Sequence, residues 1–153
     1  MNVVIKEIKE HKEDYMSLLL IGDEQEDMIE RYLDRGRLFV AFSDGKEAVG
    51  VMVLTDEGDD VAEIKNLAVL PKLQRRGIGR ELINYAANLC REDESYTELL
   101  VGTGEAPGNL TFYKKCGFEY SHRIKDFFKD NYDHVIIEDG TELRDMIYLK
   151  MKL

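Results

Sequence analysis

Apolar positions alternate loosely over Val3, Ile5 and Ile8 and give way to a polar stretch from Lys9 to Asp14, which predicts a first strand ending there. From Tyr15 to Leu33 the period lengthens. Leu18, Leu19, Met28, Ile29, Tyr32 and Leu33 recur at helical spacing with a break at Gly22 and Asp23, so two helices are expected. Asp23 suits the N-cap of the second, because its carboxylate can accept an exposed amide N–H, and Gly36 suits its stop. Arg37 to Phe42 and Ala48 to Leu54 are β-rich runs around Ser43-Asp44-Gly45-Lys46, where Asp-Gly supplies the positive φ a tight hairpin requires. These two runs should pair antiparallel. A second acidic turn, Asp56 to Asp60, leads into a strand from Val61 to Leu70, closed by Pro71, which has no N–H to give to a ladder. A three-stranded meander results.

After Gly79, the apolar residues Leu82, Ile83, Ala86, Leu89 and Cys90 mark one face of a helix running to about Glu92. Thr97 to Val101 reads as a buried strand and Gly102 to Gly108 as a turn-rich loop. Asn109 to Cys116 fills a helix that Pro107 can open without losing a hydrogen bond and that Gly117 stops. Phe118 to Arg123 is a further strand, Lys125 to Asn131 a helical turn, and Met146 to Met151 a final alternating strand. Helices alternating with strands after a meander predict an α/β fold with a mixed sheet. With no repeat or linker in the way, residues 1–153 should form one domain.

Composition narrows the function classes. Hydrophobic residues make up 44% and charged residues 34% of the 153, as in a globular protein rather than a disordered one. No apolar run approaches the roughly 20 residues of a membrane helix, and the start of the chain does not resemble a signal peptide, so no membrane partner and a cytoplasmic location are expected. The formal charge of -10 argues against nucleic-acid binding and mildly favours a cationic partner. Cys90 and Cys116 are not spaced as a CxxC pair, and Cys116 reads as a buried small hydrophobe rather than a nucleophile. His11, His122 and His134 are scattered, so no metal is implied.

The most informative segment is Gln74-Arg75-Arg76-Gly77-Ile78-Gly79-Arg80, between the strand that ends at Pro71 and an amphipathic helix. The first amides of a helix lack intrahelical partners, and the helix dipole favours an anion there. Without β-carbons, Gly77 and Gly79 let a phosphate approach the backbone, while the three arginines add charge in an acidic chain. A Walker loop would need Gly-Lys followed by Ser or Thr. A dinucleotide fingerprint would need a third glycine where Leu82 stands.

Gln74 to Gly79 resembles the signature of the GNAT acetyltransferases, a Gln or Arg, two variable residues and then Gly-x-Gly or Gly-x-Ala. The preceding Glu63 to Pro71 is similar to that family's fourth strand, and Asn109 with Phe112-Tyr113-Lys114-Lys115-Cys116-Gly117-Phe118 to its later motif. The resemblance implies a single-domain, mostly antiparallel sheet of about seven strands flanked by about four helices. It also implies acetyl-coenzyme A as cosubstrate and direct transfer of the acetyl group to a primary amine. On the same ground, Leu67, Ala68 and Val69 would meet the pantetheine arm, with the backbone groups of Leu67 and Val69 bonding it as a neighbouring strand would. Gln74, Arg75, Arg76, Gly77, Ile78, Gly79 and Arg80 would hold the pyrophosphate, and Asn109 would face the cofactor. Tyr113 would lie by the thioester sulfur as general acid, since a phenol with pKa about 10 is protonated at neutral pH. Glu63, four residues before Leu67, is the candidate general base, directly or through water.

A non-catalytic acyl-coenzyme A sensor with the same fold is the competing reading, disfavoured by the presence of Tyr113 together with Asn109. The acceptor, small molecule or peptide amine, is not specified, and monomer and homodimer are both compatible. The stretch Asp126-Phe127-Phe128 to Asn131-Tyr132 either shapes the acceptor pocket or covers the core as a helical turn.

Overall fold

Residues 2–153 are described by the computed structural model. Val3–Ile8 (β1), Arg37–Ser43 (β2), Glu47–Gly58 (β3) and Val61–Val69 (β4) pair antiparallel in chain order. The β2–β3 turn uses Asp44 at φ 49 and Gly45 at φ 76, the left-handed conformations its Asp-Gly dipeptide predicts. Glu98–Gly104 (β5) then lies parallel to β4, joined by the crossover helix Ile78–Glu92 (α3). The last strand, Met146–Lys152 (β9), inserts between β5 and Glu119–Ile124 (β6), antiparallel to both, and completes a seven-stranded sheet ordered β1-β2-β3-β4-β5-β9-β6.

Alternation along the strands builds a core on each face. Phe39, Met52, Ile64, Leu99 and Leu149 pack against Leu82, Ile83 and Ala86 of α3, with Leu110 and Tyr113 of Pro107–Lys115 (α4) against the same cluster. Leu38, Val40, Val51 and Val53 point the other way, onto Leu18 and Leu19 of Met16–Gly22 (α1) and Ile29 of Glu26–Glu30 (α2). A third cluster joins Ala106 with Phe128, Ile136 and Leu143 from the excursion between β6 and β9.

That excursion departs from the sequence expectation. It carries helix Phe127–Asn131 (α5), where the helical turn over Lys125 to Asn131 is expected, and in addition a small hairpin, Ile137–Glu138 (β7) with Thr141–Glu142 (β8), that the sequence pattern does not predict. With that short turn counted as α5 there are five α-helices, in line with the about four expected. Two-residue strands are too short to show a period, which is why the pattern missed them. Asp23 also differs from its expected role. Gln25, not Asp23, stands at the N-cap of α2, while Asp23 closes α1 in extended backbone and gives its carboxylate to two phenols. Cys116 is the half-buried cap residue of α4, packed against the α3-side core, rather than a buried residue inside the helix, which Gly117 ends at φ 105. Among the described residues no helix is long and apolar enough to cross a membrane.

Candidate active site

The site begins with a fault in the sheet. β4 pairs with β5 from Val61↔Glu98 to Ile64↔Val101, and beyond that both strands continue without bonding each other. The parting coincides with a bulge in which Lys65 is the extra residue, since Val53 opposes Asn66 while Leu54 opposes Ile64. Past the bulge the β3 ladder is regular, and the Leu70 N–H donates to Val49 O at 2.9 Å. Backbone direction alternates along an antiparallel strand, so the polar groups of Leu67 and Val69 point away from β3 into the gap. This is an edge an extended ligand can join as a strand would. Gln74 folds back on the same edge, donating from Nε2 to Val69 O at 3.2 Å.

The gap opens into a cleft of ≈ 670 Å³. On one side its wall is the α3 entry loop. Arg75 at φ 65 and Gly77 at φ 87 turn the chain so that Gly77 caps α3 and the helix starts at Ile78, one residue earlier than its apolar face indicates. Four residues of first-turn amides are therefore presented with no side chain capping them, a fit for a pyrophosphate. A β-carbon at Gly79 would stand 3.2 Å from Phe112 Cζ, so the absence of a side chain keeps this approach open. Arg80 also donates to Lys115 O at 3.1 Å, which ties α3 to the end of α4.

Of the residues singled out in the sequence, Leu67, Ala68, Val69, Gln74, Arg75, Gly77, Ile78, Gly79, Arg80, Asn109 and Tyr113 all line this one cleft. Arg76 and Glu63 do not. Arg76 is exposed, between the two left-handed residues of the loop. Glu63 is 6% exposed and ion-paired with Lys65 Nζ at 3.1 Å; it is Lys65, not Glu63, that reaches the cleft wall. Burial raises the Glu63 carboxyl above its usual range while Lys65 opposes the shift, so Glu63 is a shielded, paired group.

Tyr113 is wedged edge-on between Phe112 and Phe118, with ring centroids 5.1 and 5.8 Å away. Burial, reinforced by Cys116 and Glu138, pushes its phenol well above the ordinary value, so it remains a proton donor at any working pH. Burial likewise raises the Cys116 thiol, which disfavours the thiolate.

Several residues of the wall were not singled out as site residues. Asp23 and Glu24 follow α1, Asn66 follows the bulge, Tyr132 follows α5, and Glu138 and Asp139 come from the β7–β8 hairpin. Asn109 Nδ2 donates to Glu138 Oε2 at 2.7 Å, which holds that hairpin over the start of α4. Tyr132 Oη donates to Asp23 Oδ1 at 2.6 Å, and the Asp133 N–H to Gln25 Oε1 at 3.0 Å, which holds the excursion against the α1–α2 connection. Two signals in the sequence point here: the aromatic stretch Asp126 to Tyr132, whose Phe128 and Tyr132 line the cleft, and Asn66, a polar residue within the apolar run of β4. The cleft therefore has arginines where α3 begins and carboxylates where α1, α4 and the hairpin meet.

Comparison with known proteins agrees with this geometry. Residues 34–120 match the model of the acetyltransferase (GNAT) domain. The uncharacterized N-acetyltransferase YvbK of Bacillus subtilis is 35% identical over 146 residues, covering 95% of this chain and 93% of that relative. An IAA acetyltransferase from Bacillus cereus superimposes with a TM-score of 0.92 at 39% identity, over 99% of this chain and 100% of the other. A GNAT family acetyltransferase from Elizabethkingia anophelis, solved with acetyl-CoA bound, gives 0.91 at 37% identity over 99% of each chain.

Proposed function

The chain belongs to the GNAT family and is an acetyl-CoA-dependent N-acetyltransferase, and from that premise we propose that its acceptor is a primary amine of cationic character. The observation that carries the proposal is the division of charge within one cleft, arginines at the α3 entry and Asp23, Glu24, Glu138 and Asp139 elsewhere on its wall, where the one lysine, Lys65, is already paired with Glu63. In this reading the backbone of Leu67 and Val69 holds the pantetheine arm beside Ala68, and the loop from Gln74 to Arg80 takes the pyrophosphate, with Arg76 adding charge from outside. Asn109 keeps the hairpin closed over the cosubstrate.

Transfer requires a neutral amine to attack the thioester carbonyl, and the departing sulfur to gain a proton. Tyr113, held protonated by burial, supplies that proton and recovers one from the newly formed amide nitrogen. Glu63 acts on the site through Lys65, whose ammonium it holds at 3.1 Å, and so reaches the reacting amine at most by way of Lys65 or water. The chain works as one catalytic domain, since all three apolar clusters border the same sheet and cleft.

The test is thiol release from acetyl-CoA with amines of graded charge. Polyamines and lysine peptides should show kcat/KM at least about tenfold above amines that carry a carboxylate near the nitrogen, the effect of one unfavourable charge contact. An equal or reversed order would overturn the cationic assignment.

A further inference from the structure

We propose that Asp23 is the group that binds the acceptor's ammonium and takes its proton, an inference that rests on the acetyltransferase reading above. Three observations carry it. The first is placement. Gly22 lets the end of α1 lie against β4 just past the bulge, where a β-carbon would collide with Asn66 Oδ1 and stand 3.1 Å from Leu67 O. Asp23 follows directly and enters the cleft wall beside the parted strands.

The second is how the carboxylate is held. Tyr32 Oη donates to Oδ2 at 3.0 Å and Tyr132 Oη to Oδ1 at 2.6 Å, from residues 9 and 109 positions away. Tyr32 is itself fixed by Asn66 Nδ2 at 3.1 Å. Each carboxylate oxygen thus spends one acceptor site on a phenol and keeps another. Among the described residues no lysine, arginine or histidine forms an ion pair with Asp23, although ten other carboxylates around the molecule have such partners within 3.8 Å. A half-buried carboxylate without a cation, in the wall of a cleft that receives amines, is set to take its cation from the substrate.

The third is Asn66 Oδ1, buried and without a hydrogen-bond partner. Unsatisfied buried acceptors are uncommon, and this one belongs to a residue of the same wall, bonded to the same tyrosine. This oxygen lies against Gly22, where a β-carbon would collide with it, so it marks how closely the end of α1 is seated on β4 beside Asp23 rather than a second ligand for the ammonium.

The proton balance follows. An N–H bond of the ammonium breaks as an O–H bond forms on Asp23, and the freed lone pair attacks the thioester carbon. The C–S bond then breaks, the second amine proton passes to sulfur by way of Tyr113, and Asp23 returns its proton to solvent. Glu63 is not on the cleft wall and already holds the Lys65 ammonium at 3.1 Å, so its path to the amine runs by way of Lys65 or water.

The test uses coenzyme A thioethers that place a charge where the acceptor nitrogen would sit, S-(2-aminoethyl)- and S-(4-aminobutyl)-coenzyme A, against their hydroxyl counterparts of equal length. Wild type should bind at least one ammonium form about tenfold or more tightly than its hydroxyl form, the worth of a charge-assisted hydrogen bond. Asp23→Asn should lose that preference while binding the hydroxyl form as wild type does, and Tyr132→Phe, which keeps the carboxylate, should retain most of it. Should Asp23→Asn fail to bind even the hydroxyl form, Asp23→Ser carries the same prediction. No preference in wild type, its survival without the carboxylate, or equal loss in Tyr132→Phe would overturn the assignment. If wild type bound none of the four thioethers, the acetyltransferase reading itself would fall, a separate outcome.

Discussion

Replacing Tyr113 with Phe should lower the turnover number on the order of 10²-fold, the lower end of what a positioned general acid contributes, while the affinity for acetyl-CoA stays within about threefold. The split is expected because the ring and the hydroxyl do different things. The ring is held by Phe112 and Phe118 and packs with the α3-side core, and phenylalanine keeps those contacts. The hydroxyl is the only part lost, and burial has raised its pKa, which makes it a donor across the whole accessible pH range. Steady-state kinetics with a cationic acceptor, paired with a binding titration of acetyl-CoA, separates the two. A parallel loss of affinity and turnover would mean that Tyr113 only packs on the cosubstrate, and unchanged turnover would remove the general acid.

Gly79→Val should abolish useful coenzyme A binding, raising Kd about 100-fold or more. That corresponds to losing charge-assisted bonds of about 3 kcal/mol in total between the pyrophosphate and the α3 amides. The β-carbon alone would stand 3.2 Å from the end of the Phe112 ring, which can shift because Phe112 is exposed at 36%. The added methyl groups have no such relief, and in the first turn of α3 they obstruct the approach to the amides. Gly79 is not in a left-handed conformation, so the protein should fold. Titration of coenzyme A, with circular dichroism to verify the fold, checks this. Affinity within a few-fold of wild type would place the phosphates elsewhere.

How much of this was legible in the sequence depends on the length of each element. The meander, α3 and β5 carry long runs of matched periodicity and appear within a few residues of expectation, and the cofactor loop announces itself by glycines at fixed spacing before a helix. The proposed acceptor side shows only in part, through the stretch Asp126 to Tyr132, of which Phe128 and Tyr132 line the cleft. It is assembled from a residue after α1, a bulge in β4, and an excursion whose strands are two residues long. Asp23 reads as a helix cap because Asp at a helix boundary usually is one, and only tertiary contact with Tyr32 and with Tyr132, 109 residues on, gives it other partners. Glu63 is left off the cleft wall and paired with Lys65, the extra residue of a bulge two positions on, and a bulge leaves no mark in an apolar pattern.

The central claim is that this cleft receives acetyl-CoA, and the most direct measurement is the thermal midpoint with acetyl-CoA, coenzyme A and ATP added separately. A ligand at 100 times its Kd adds about 2.7 kcal/mol, which for a chain of this size is a rise of about 5–10 °C. That rise is expected for both coenzyme A ligands and not for ATP, because in the proposed site the parted β4 edge takes the pantetheine arm, which ATP lacks. No rise with either coenzyme A ligand, or an equal rise with ATP, would contradict it.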